Sequence, residues 1–230
     1  MQIHGFQKMT LLDFPGKVAC TVFTGGCNMR CPFCHNAFLV TELNASEQFT
    51  HEEVLETIKK RKGLIDGVAI TGGEPLLYEG TLDFMRKVRG MGFAVKLDTN
   101  GTFPDRLKRA VNEGLVDYVA MDIKNSKKLY PKTVGVKDFD ISPVLESVDF
   151  LLSNKVDYEF RTTVVAEFHT LESMEEISRW IKGAKRYFLQ NFVDSGNLIS
   201  DKVHGVDKES MIKLKEIANK YISCVEIRGI

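Results

Sequence analysis

Three cysteines lie close together in one short segment, which reads Gly25-Gly26-Cys27-Asn28-Met29-Arg30-Cys31-Pro32-Phe33-Cys34-His35-Asn36. Cys27, Cys31 and Cys34 can converge on one metal centre, because a single loop carries all three thiols. Iron–sulfur clusters prefer thiolate ligands, and three thiolates leave one iron of a four-iron cluster without a protein ligand. Catalytic metal sites keep such an open position for a substrate. The spacing therefore predicts a [4Fe-4S] cluster with one open iron.

Structural zinc is the alternative for the same loop, with His35 or Cys224 as the fourth ligand. Zinc sites usually show a second pair of ligands further along the chain, and no such pair occurs here. The sequence contains five cysteines, and the remaining two, Cys20 and Cys224, lie in apolar runs that predict core positions. Closely spaced cysteines in a reducing compartment indicate metal or redox chemistry rather than disulfides.

Three further polar segments each come where a predicted strand ends. They are Thr71-Gly72-Gly73-Glu74-Pro75, Asp98-Thr99-Asn100-Gly101 and Asp122-Ile123-Lys124. The two glycines of the first segment let a ligand approach the backbone, and its carboxylate can accept a hydrogen bond from an ammonium group. Asp122 and Lys124 should face the same side, because side chains alternate along a strand. The alternatives are simple turns at the strand ends and an exposed ion pair.

The elements that must position these segments alternate between short apolar runs and amphipathic stretches. Strands are predicted at 18–23, 67–71, 93–98, 118–123, 158–165, 186–190 and 224–227. Helices are predicted near 50–62, 82–91, 143–154, 171–181 and 208–218, with another that begins at Pro104. This alternation predicts an α/β fold with a parallel sheet, either open or closed into a partial or full barrel. In each case the chemistry gathers at the C-terminal ends of the strands.

Composition limits the classes of protein that fit. The chain has 230 residues with 31 basic and 31 acidic side chains, so a general polyanion binder is not expected, although a local basic patch stays open. No apolar run approaches the length of about 18 residues that a membrane span needs. The N-terminus lacks a signal-peptide pattern. We therefore expect a cytoplasmic protein with no nucleic-acid or membrane partner.

The cysteine loop, with Phe33 before its last cysteine, resembles the signature of the radical S-adenosylmethionine (SAM) superfamily. Its flanks resemble the glycyl-radical-enzyme activases, and especially the longer activating proteins of anaerobic ribonucleoside-triphosphate reductase. The resemblance rests on Phe14-Pro15-Gly16-Lys17 and on residues 23–36. It is strong over 5–36 and 69–75 and moderate to about residue 125. It implies a partial (β/α)6 TIM-type barrel in a single domain, 1–230, with 1–17 as an N-terminal extension and 18–230 as the β/α core.

The resemblance also implies the reaction and its cofactors. One [4Fe-4S] cluster on the three loop cysteines would split SAM reductively into methionine and a 5′-deoxyadenosyl radical. That radical would take hydrogen from a glycine of a partner glycyl radical enzyme, for which anaerobic ribonucleotide reductase is our expectation. Flavodoxin or ferredoxin would donate the electron. Five cysteines provide no ligands for an additional ferredoxin-like domain.

A set of cofactor-binding residues follows from the same resemblance, namely Phe33, His35, Gly72, Gly73, Glu74, Asp98, Asp122 and Lys124. The Gly-Gly-Glu segment would hold the amino group of the methionyl part, and Asp98 would lie near that end. Lys124 would lie near the methionyl carboxylate. The ring of His35 would pack against adenine. Arg161 has two interpretations, one facing the barrel and one in a surface or core ion pair.

Two other functions stay open. A 7-carboxy-7-deazaguanine synthase has a similar length, but that family usually has Asp-Thr after its last cluster cysteine, where this chain has His35-Asn36. A zinc-stabilised binding module without chemistry is the second alternative. It predicts a colourless metal site and no cleavage of SAM.

Overall fold

The computed structural model describes residues 1–43, 48–194, 196–200 and 202–229. Within these residues, eight strands form one sheet in chain order. The strands are β1 (Ile3–Thr10), β2 (Ala19–Thr24), β3 (Gly67–Gly72), β4 (Ala94–Thr99), β5 (Tyr118–Asp122), β6 (Asp157–Val164), β7 (Tyr187–Asn191) and β8 (Val225–Arg228). β1 runs antiparallel to β2, and each later strand runs parallel to the strand before it. The predicted α/β fold with a parallel sheet is confirmed.

Helices connect the parallel strands. They are α1 (Phe38–Thr41), α2 (His51–Lys60), α3 (Gly80–Gly90), α4 (Pro104–Asn112), α5 (Tyr130–Val134), α6 (Ser142–Leu152), α7 (Leu171–Trp180) and α8 (Lys208–Ala218), and a 3-10 helix at Pro75–Leu77 follows β3. The longest of the described helices have 11 residues. That is about half the length that a bilayer-spanning helix requires.

The sheet does not close into a full barrel. Its edges are β1 and β8, and in the described part of the chain these two strands do not pair with each other. Seven strands, β2 to β8, run parallel, which matches the seven strands predicted along the chain and is one more than the six repeats that the resemblance implies. The predicted extension 1–17 contributes the antiparallel edge strand. That residues 1–230 form a single domain stays a prediction.

Local sequence signals account for several element boundaries. The Thr50 hydroxyl oxygen accepts a hydrogen bond from the Glu53 N–H at 3.2 Å, and the Glu53 carboxylate accepts one from the Thr50 N–H at 3.0 Å. This pair forms a capping box, and α2 begins at the residue after Thr50. Pro104 is the first residue of α4, where its missing N–H costs nothing.

Three elements and the burial of one cysteine differ from the sequence prediction. β1, α1 and α5 were not expected, because they are an edge strand and two helices of four and five residues without a long apolar pattern. Cys20 is fully buried in β2, as predicted. The prediction of a core position for Cys224 is wrong, because this residue is only half-buried and its thiol lies 3.8 Å from a Glu226 carboxylate oxygen.

A small apolar cluster lies at the N-terminal ends of the parallel strands. Phe14, from the loop between β1 and β2, packs against Ala19 and Tyr118, with the two aromatic ring centroids 6.4 Å apart. Residues 14–17 belong to the segment that carries the family resemblance. Phe14 therefore covers the N-terminal ends of the parallel strands, and the C-terminal ends lie on the opposite side of the sheet.

We expect Phe14→Ala to lower the free energy of unfolding by about 3 kcal/mol, because it removes a buried ring and leaves a cavity. Leu12→Ala is the matched control in the same loop, since Leu12 is 92% exposed. We expect the control to change the free energy by less than about 0.5 kcal/mol. Urea unfolding of both variants measures the difference, and equal effects would contradict the role of Phe14.

Candidate cluster and cofactor site

One cavity lies at the C-terminal ends of the parallel strands, where the sequence places the chemistry. Residues in or following β2 to β7 line it. Ten of the predicted site residues lie in its wall, namely Cys27, Cys31, Phe33, Cys34, His35, Gly72, Gly73, Asp98, Asp122 and Lys124. Glu74 is the predicted site residue that does not line the cavity.

The cysteine loop places three thiols in the cavity wall. The backbone of the loop is fixed by a hydrogen bond from the Cys34 N–H to the Cys31 carbonyl at 3.1 Å. Arg30 donates from Nη1 to the carbonyls of Cys27 and Met29 at 2.7 and 2.8 Å. Burial raises the pKa of Cys27 to about 11 and that of Cys31 to about 12. A metal must therefore displace protons from these thiols when it binds.

The donor set fits an iron–sulfur cluster better than one metal ion. Among the described residues, no three His, Cys, Asp or Glu side chains converge closely enough to hold a single ion. A cluster needs no such convergence, because each thiolate binds a different iron. All five cysteines are described, and Cys20 and Cys224 do not line the cavity. The wall therefore offers three thiolates, the preferred ligand type of iron–sulfur clusters.

Gly72 and Gly73 bring the end of β3 against the cysteine loop. The Gly73 N–H donates to the Thr24 carbonyl, and the Glu74 N–H donates to the Gly26 carbonyl, both at 2.8 Å. A Cβ atom on Gly73 would lie 2.0 Å from the Gly26 carbonyl oxygen, and Gly72 has a φ of +117°. The sequence explained these glycines by the approach of a ligand. The structure gives a second reason, which is the close approach of two backbone segments.

The Glu74 carboxylate is fully buried and does not line the cavity, and that Glu74 helps to hold an ammonium group stays a prediction. One oxygen accepts hydrogen bonds from the Leu76 N–H and the Thr99 hydroxyl at 2.9 and 2.8 Å. The other accepts from the Asn100 N–H at 2.7 Å. Burial raises the pKa of Glu74 to about 7, against the effect of these donors. In this structure the side chain connects the ends of β3 and β4.

A row of alternating charges crosses the cavity wall from β4 to β6. Arg161 lies between two carboxylates, with Nη1 3.2 Å from an Asp98 oxygen and Nε 3.0 Å from an Asp122 oxygen. Lys124 forms an ion pair with Asp122 at 3.0 Å, and Lys96 forms one with Asp98. The row holds three cations and two anions, so one net positive charge remains. Arg161 thus lines the cavity and also forms a part-buried ion pair, so both of its interpretations hold.

These ion pairs favour the charged forms of Asp98, Asp122, Lys124 and Arg161. Burial by itself favours neutral carboxyls, but Arg161 and a neighbouring lysine outweigh it and lower the pKa of Asp98 and of Asp122. Burial likewise disfavours the ammonium of Lys124, but Asp122 outweighs it and raises the pKa of that lysine. The site therefore holds fixed charges across the physiological pH range.

His35 and Phe33 connect the cysteine loop to the segments that follow β7 and β6. The His35 ring stacks on Phe192 with centroids 5.3 Å apart and 6° between the planes, and its Nε2 lies 3.1 Å from the Val193 carbonyl. Burial lowers the pKa of His35 and favours its neutral form. Phe33 packs against Phe168 with centroids 5.8 Å apart. Both residues also line the cavity.

Sequence reasoning missed several polar residues of the site. The Asn100 amide donates to the Asn28 side chain at 3.0 Å and lies 3.7 Å from the Cys27 sulfur. The Asn36 amide donates to the Gly72 carbonyl at 3.2 Å. In the sequence, Asn100 is recognisable only as part of an Asn-Gly turn. Lys96 precedes Asp98 by two positions on a strand, and this spacing was the available signal that they share a face.

His169 fixes the backbone next to Lys124. Its Nδ1 accepts a hydrogen bond from the Val165 N–H at 3.0 Å, so the proton resides on Nε2, which donates to the Lys124 carbonyl at 2.9 Å. Burial lowers the pKa of His169 and keeps the ring neutral. The loop after β6 thereby holds the end of β5 in place.

Comparison with known proteins agrees with this geometry. The model of the radical SAM superfamily matches residues 21–181. The chain therefore belongs to the radical SAM superfamily, whose enzymes use a [4Fe-4S] cluster and SAM. The alternative of a zinc-stabilised module without chemistry is wrong, because the relatives are enzymes.

Within the superfamily, the chain belongs with the glycyl-radical enzyme activating enzymes. It is 32% identical over 234 residues to a Methanocaldococcus jannaschii protein that is provisionally named a glycyl-radical enzyme activating enzyme, with 99% of this chain and 96% of the relative covered. It is 30% identical over 172 residues to the pyruvate formate-lyase 1-activating enzyme of Escherichia coli K12, with 71% and 68% covered.

The fold is similar to that of SuiB from Streptococcus suis, which has been solved with SAM bound. The TM-score is 0.69 at 14% identity, and the match covers 90% of this chain and 49% of SuiB. The chain thus spans about half the length of that protein. At this identity the likeness shows the shared fold alone.

Gly73→Ala should displace the cysteine loop, because its Cβ atom would overlap the Gly26 carbonyl. We expect the free energy of unfolding to fall by about 2 kcal/mol and the iron bound per chain after reconstitution to fall with it. Gly90→Ala is the matched control, since a Cβ atom there meets no atom within 4 Å. Urea unfolding and iron analysis measure both effects. Full iron loading of Gly73→Ala would contradict the packing argument.

Glu74 should make stability depend on pH in a defined window. Its pKa is raised from 4.5 to about 7 on folding. Its contribution is therefore complete below pH 4.5 and is lost as the pH rises through about 7. We expect the unfolding free energy of the wild type, relative to Glu74→Gln, to fall by about 3 kcal/mol across this window. Urea unfolding of the iron-free proteins at several pH values measures it, and parallel curves would refute it.

Proposed function

We propose that this chain activates a glycyl radical enzyme, and that it does so by reductive cleavage of SAM and abstraction of hydrogen from a glycine of the partner. The observation that carries the proposal is the single cavity in which three thiols, a two-glycine backbone segment and a row of fixed charges meet. These features come from five different segments of the chain. The family relationship supports the same reaction class.

Cys27, Cys31 and Cys34 are the proposed ligands of the [4Fe-4S] cluster. Bound there, the cluster would supply the electron that splits SAM into methionine and the 5′-deoxyadenosyl radical. Lys124 supports this assignment, because its positive charge favours the thiolate form of Cys31. The Asn100 amide, 3.7 Å from the Cys27 sulfur, adds a hydrogen-bond donor beside a ligand atom.

The methionyl part of SAM carries an ammonium and a carboxylate, and the wall offers partners for both. We assign the backbone of Gly72 and Gly73 and the Asp98 carboxylate to the ammonium end. Lys124 and the net positive charge of the row are suited to the carboxylate. Asp122 keeps Lys124 and Arg161 in position. These fixed charges need little rearrangement when the cofactor binds, which lowers the cost of ordering the site.

His35 and Phe33 are the proposed contacts of the adenosyl part. Both residues line the cavity, and ring contacts with Phe168 and Phe192 hold the two side chains in place. A purine stacks favourably on such a face, and offset stacking is worth about 1 kcal/mol. Glu74 is the exception among the proposed residues. We assign it a positioning role, because its carboxylate orients Asn100 and the end of β3.

The partner and the electron donor are part of the same proposal. Residues 14–17 and 23–36 resemble the activating proteins of anaerobic ribonucleoside-triphosphate reductase, and we propose that reductase as the partner. Flavodoxin or ferredoxin is the proposed donor, since the reaction needs a low-potential single electron. A reducing cytoplasm is the compartment in which both would be present. We treat residues 1–230 as a single catalytic domain.

Cys31→Ala tests the reaction class. After anaerobic reconstitution with iron and sulfide, the wild type should release 5′-deoxyadenosine from SAM in the presence of dithionite. The variant should release at least about 100-fold less 5′-deoxyadenosine. Substitution of residues that merely hydrogen-bond to metal ligands already lowers activity about 10- to 100-fold. Cys224→Ala is the matched control and should keep full activity, because Cys224 lies outside the cavity. Equal product from wild type and Cys31→Ala would sink the proposal.

The partner requires a separate measurement. The reconstituted chain is incubated with SAM, dithionite and either anaerobic ribonucleoside-triphosphate reductase or pyruvate formate-lyase. Electron paramagnetic resonance then detects the glycyl radical on the partner. A signal with the reductase alone supports the proposed partner, whereas a signal with the lyase alone replaces it. Cleavage of SAM without a radical on either protein would reject both.

A further inference from the structure

Five exposed cations lie on and beside the cysteine loop, and none of them lines the cavity. They are Arg30, Lys127, Lys128, Lys132 and Lys137, which we call the basic rim. In the described part of the chain, no ion pair involves any of them. The whole chain has equal numbers of basic and acidic residues, so this excess is local.

The basic rim borders the loop that carries the proposed cluster ligands. Arg30 lies between Cys27 and Cys31 in the sequence, and its N–H donates to the Val134 carbonyl at the end of α5 at 2.9 Å. Lys132 lies within α5, and Lys127 and Lys128 lie just before it. The rim is therefore the outer surface of the segment that packs directly on the cysteine loop.

Uncharged partners hold two of these cations in place. The Arg30 guanidinium donates to two loop carbonyls, and the Lys127 ammonium lies 5.3 Å from the centroid of the Trp180 ring. Neither a carbonyl nor an aromatic ring neutralises a full positive charge. Residues 127–137 contain four lysines and no acidic side chain, and the acidic residues Asp138 and Asp140 come only after this stretch. An ordinary solvated surface of this neutral chain would mix the two signs.

We propose that the basic rim is the docking surface for an acidic one-electron carrier protein. The inference rests on the proposed function, which requires an external electron at the cysteine loop. In each encounter the carrier would lose one electron and the enzyme would gain it. Cys31 is buried and Cys27 and Cys34 are partly buried, so a carrier protein would deliver its electron across the outer surface of the loop. Charge complementarity at that surface steers the encounter and fixes its orientation.

The rim fits such a carrier better than it fits a nucleic acid. A nucleic-acid site usually extends as a long basic stripe on a basic domain, whereas this chain carries no net charge. A small carrier whose redox group is surrounded by carboxylates needs only a compact patch. Flavodoxins and ferredoxins share this chemistry, so the experiment uses one of each to distinguish the two sources.

Lys128→Glu combined with Lys132→Glu tests the rim. Lys60→Glu combined with Lys62→Glu is the matched control, because it makes the same charge change on exposed residues. Lys60 and Lys62 lie at and just after the end of α2, on the side of the sheet where β3 begins. The first measurement is the calorimetric affinity of each protein for oxidised flavodoxin and for ferredoxin. At low salt we expect the rim variant to bind about tenfold more weakly than the control. The difference should disappear near 0.5 M salt, where charges are screened.

The second measurement is 5′-deoxyadenosine formation at varied carrier concentration and, separately, with saturating dithionite. The rim variant should lose about tenfold in kcat/KM for the carrier and keep the dithionite rate of the control. Unchanged binding and kinetics would overturn the proposal. A loss of glycyl radical formation with dithionite would also overturn it and assign the rim to the partner enzyme. Absence of cleavage in the wild type would reject the proposed function, while the calorimetry would still decide the docking surface.

Discussion

Residue 73 has room for only hydrogen on its α-carbon, because the Gly26 carbonyl occupies the place of a side chain. The rest of the site depends on this backbone contact. It sets the end of β3 against the residue before Cys27, and two N–H donors hold the segments together. On its other side, Glu74 reaches the end of β4 and orients Asn100, which contacts the sulfur of Cys27. The first thiol is therefore positioned from two neighbouring strands.

The carboxylates of Asp98 and Asp122 lie near each other at the C-terminal ends of neighbouring parallel strands. Arg161 and two lysines lie beside them and offset their repulsion. Asp98 and Asp122 lie at the C-terminal ends of β4 and β5, and Arg161 on β6 lies between their carboxylates. Lys96, only 3% exposed, completes the row from the inside. Because the protein already supplies these counter-charges, the carboxylates stay ionised without help from solvent. A charged cofactor then meets a prearranged field rather than groups that must be dehydrated and reoriented.

The parts of the fold that were predictable depend on local signals. The strand–helix alternation, the capping box at Thr50 and the cysteine spacing each involve residues close in sequence, and the structure agrees with them. β1 was not predictable from the sequence, because this edge strand pairs on one side only and has no continuous apolar run. The direction of the Glu74 side chain and the stacking of His35 on Phe192 depend on contacts between distant segments. The half-buried Cys224 shows the same limit, since an apolar neighbourhood in sequence does not guarantee burial.

The enclosed thiols have a consequence for the protein before it receives iron. Only a thiolate attacks another sulfur or reacts readily with oxidants. Cys27 and Cys31, whose pKa values are about 11 and 12, stay almost entirely protonated near neutral pH. Before the cluster is inserted, these two sulfurs therefore react slowly with oxidants and with disulfides. The burial that raises these two pKa values therefore also disfavours a disulfide between Cys27 and Cys31.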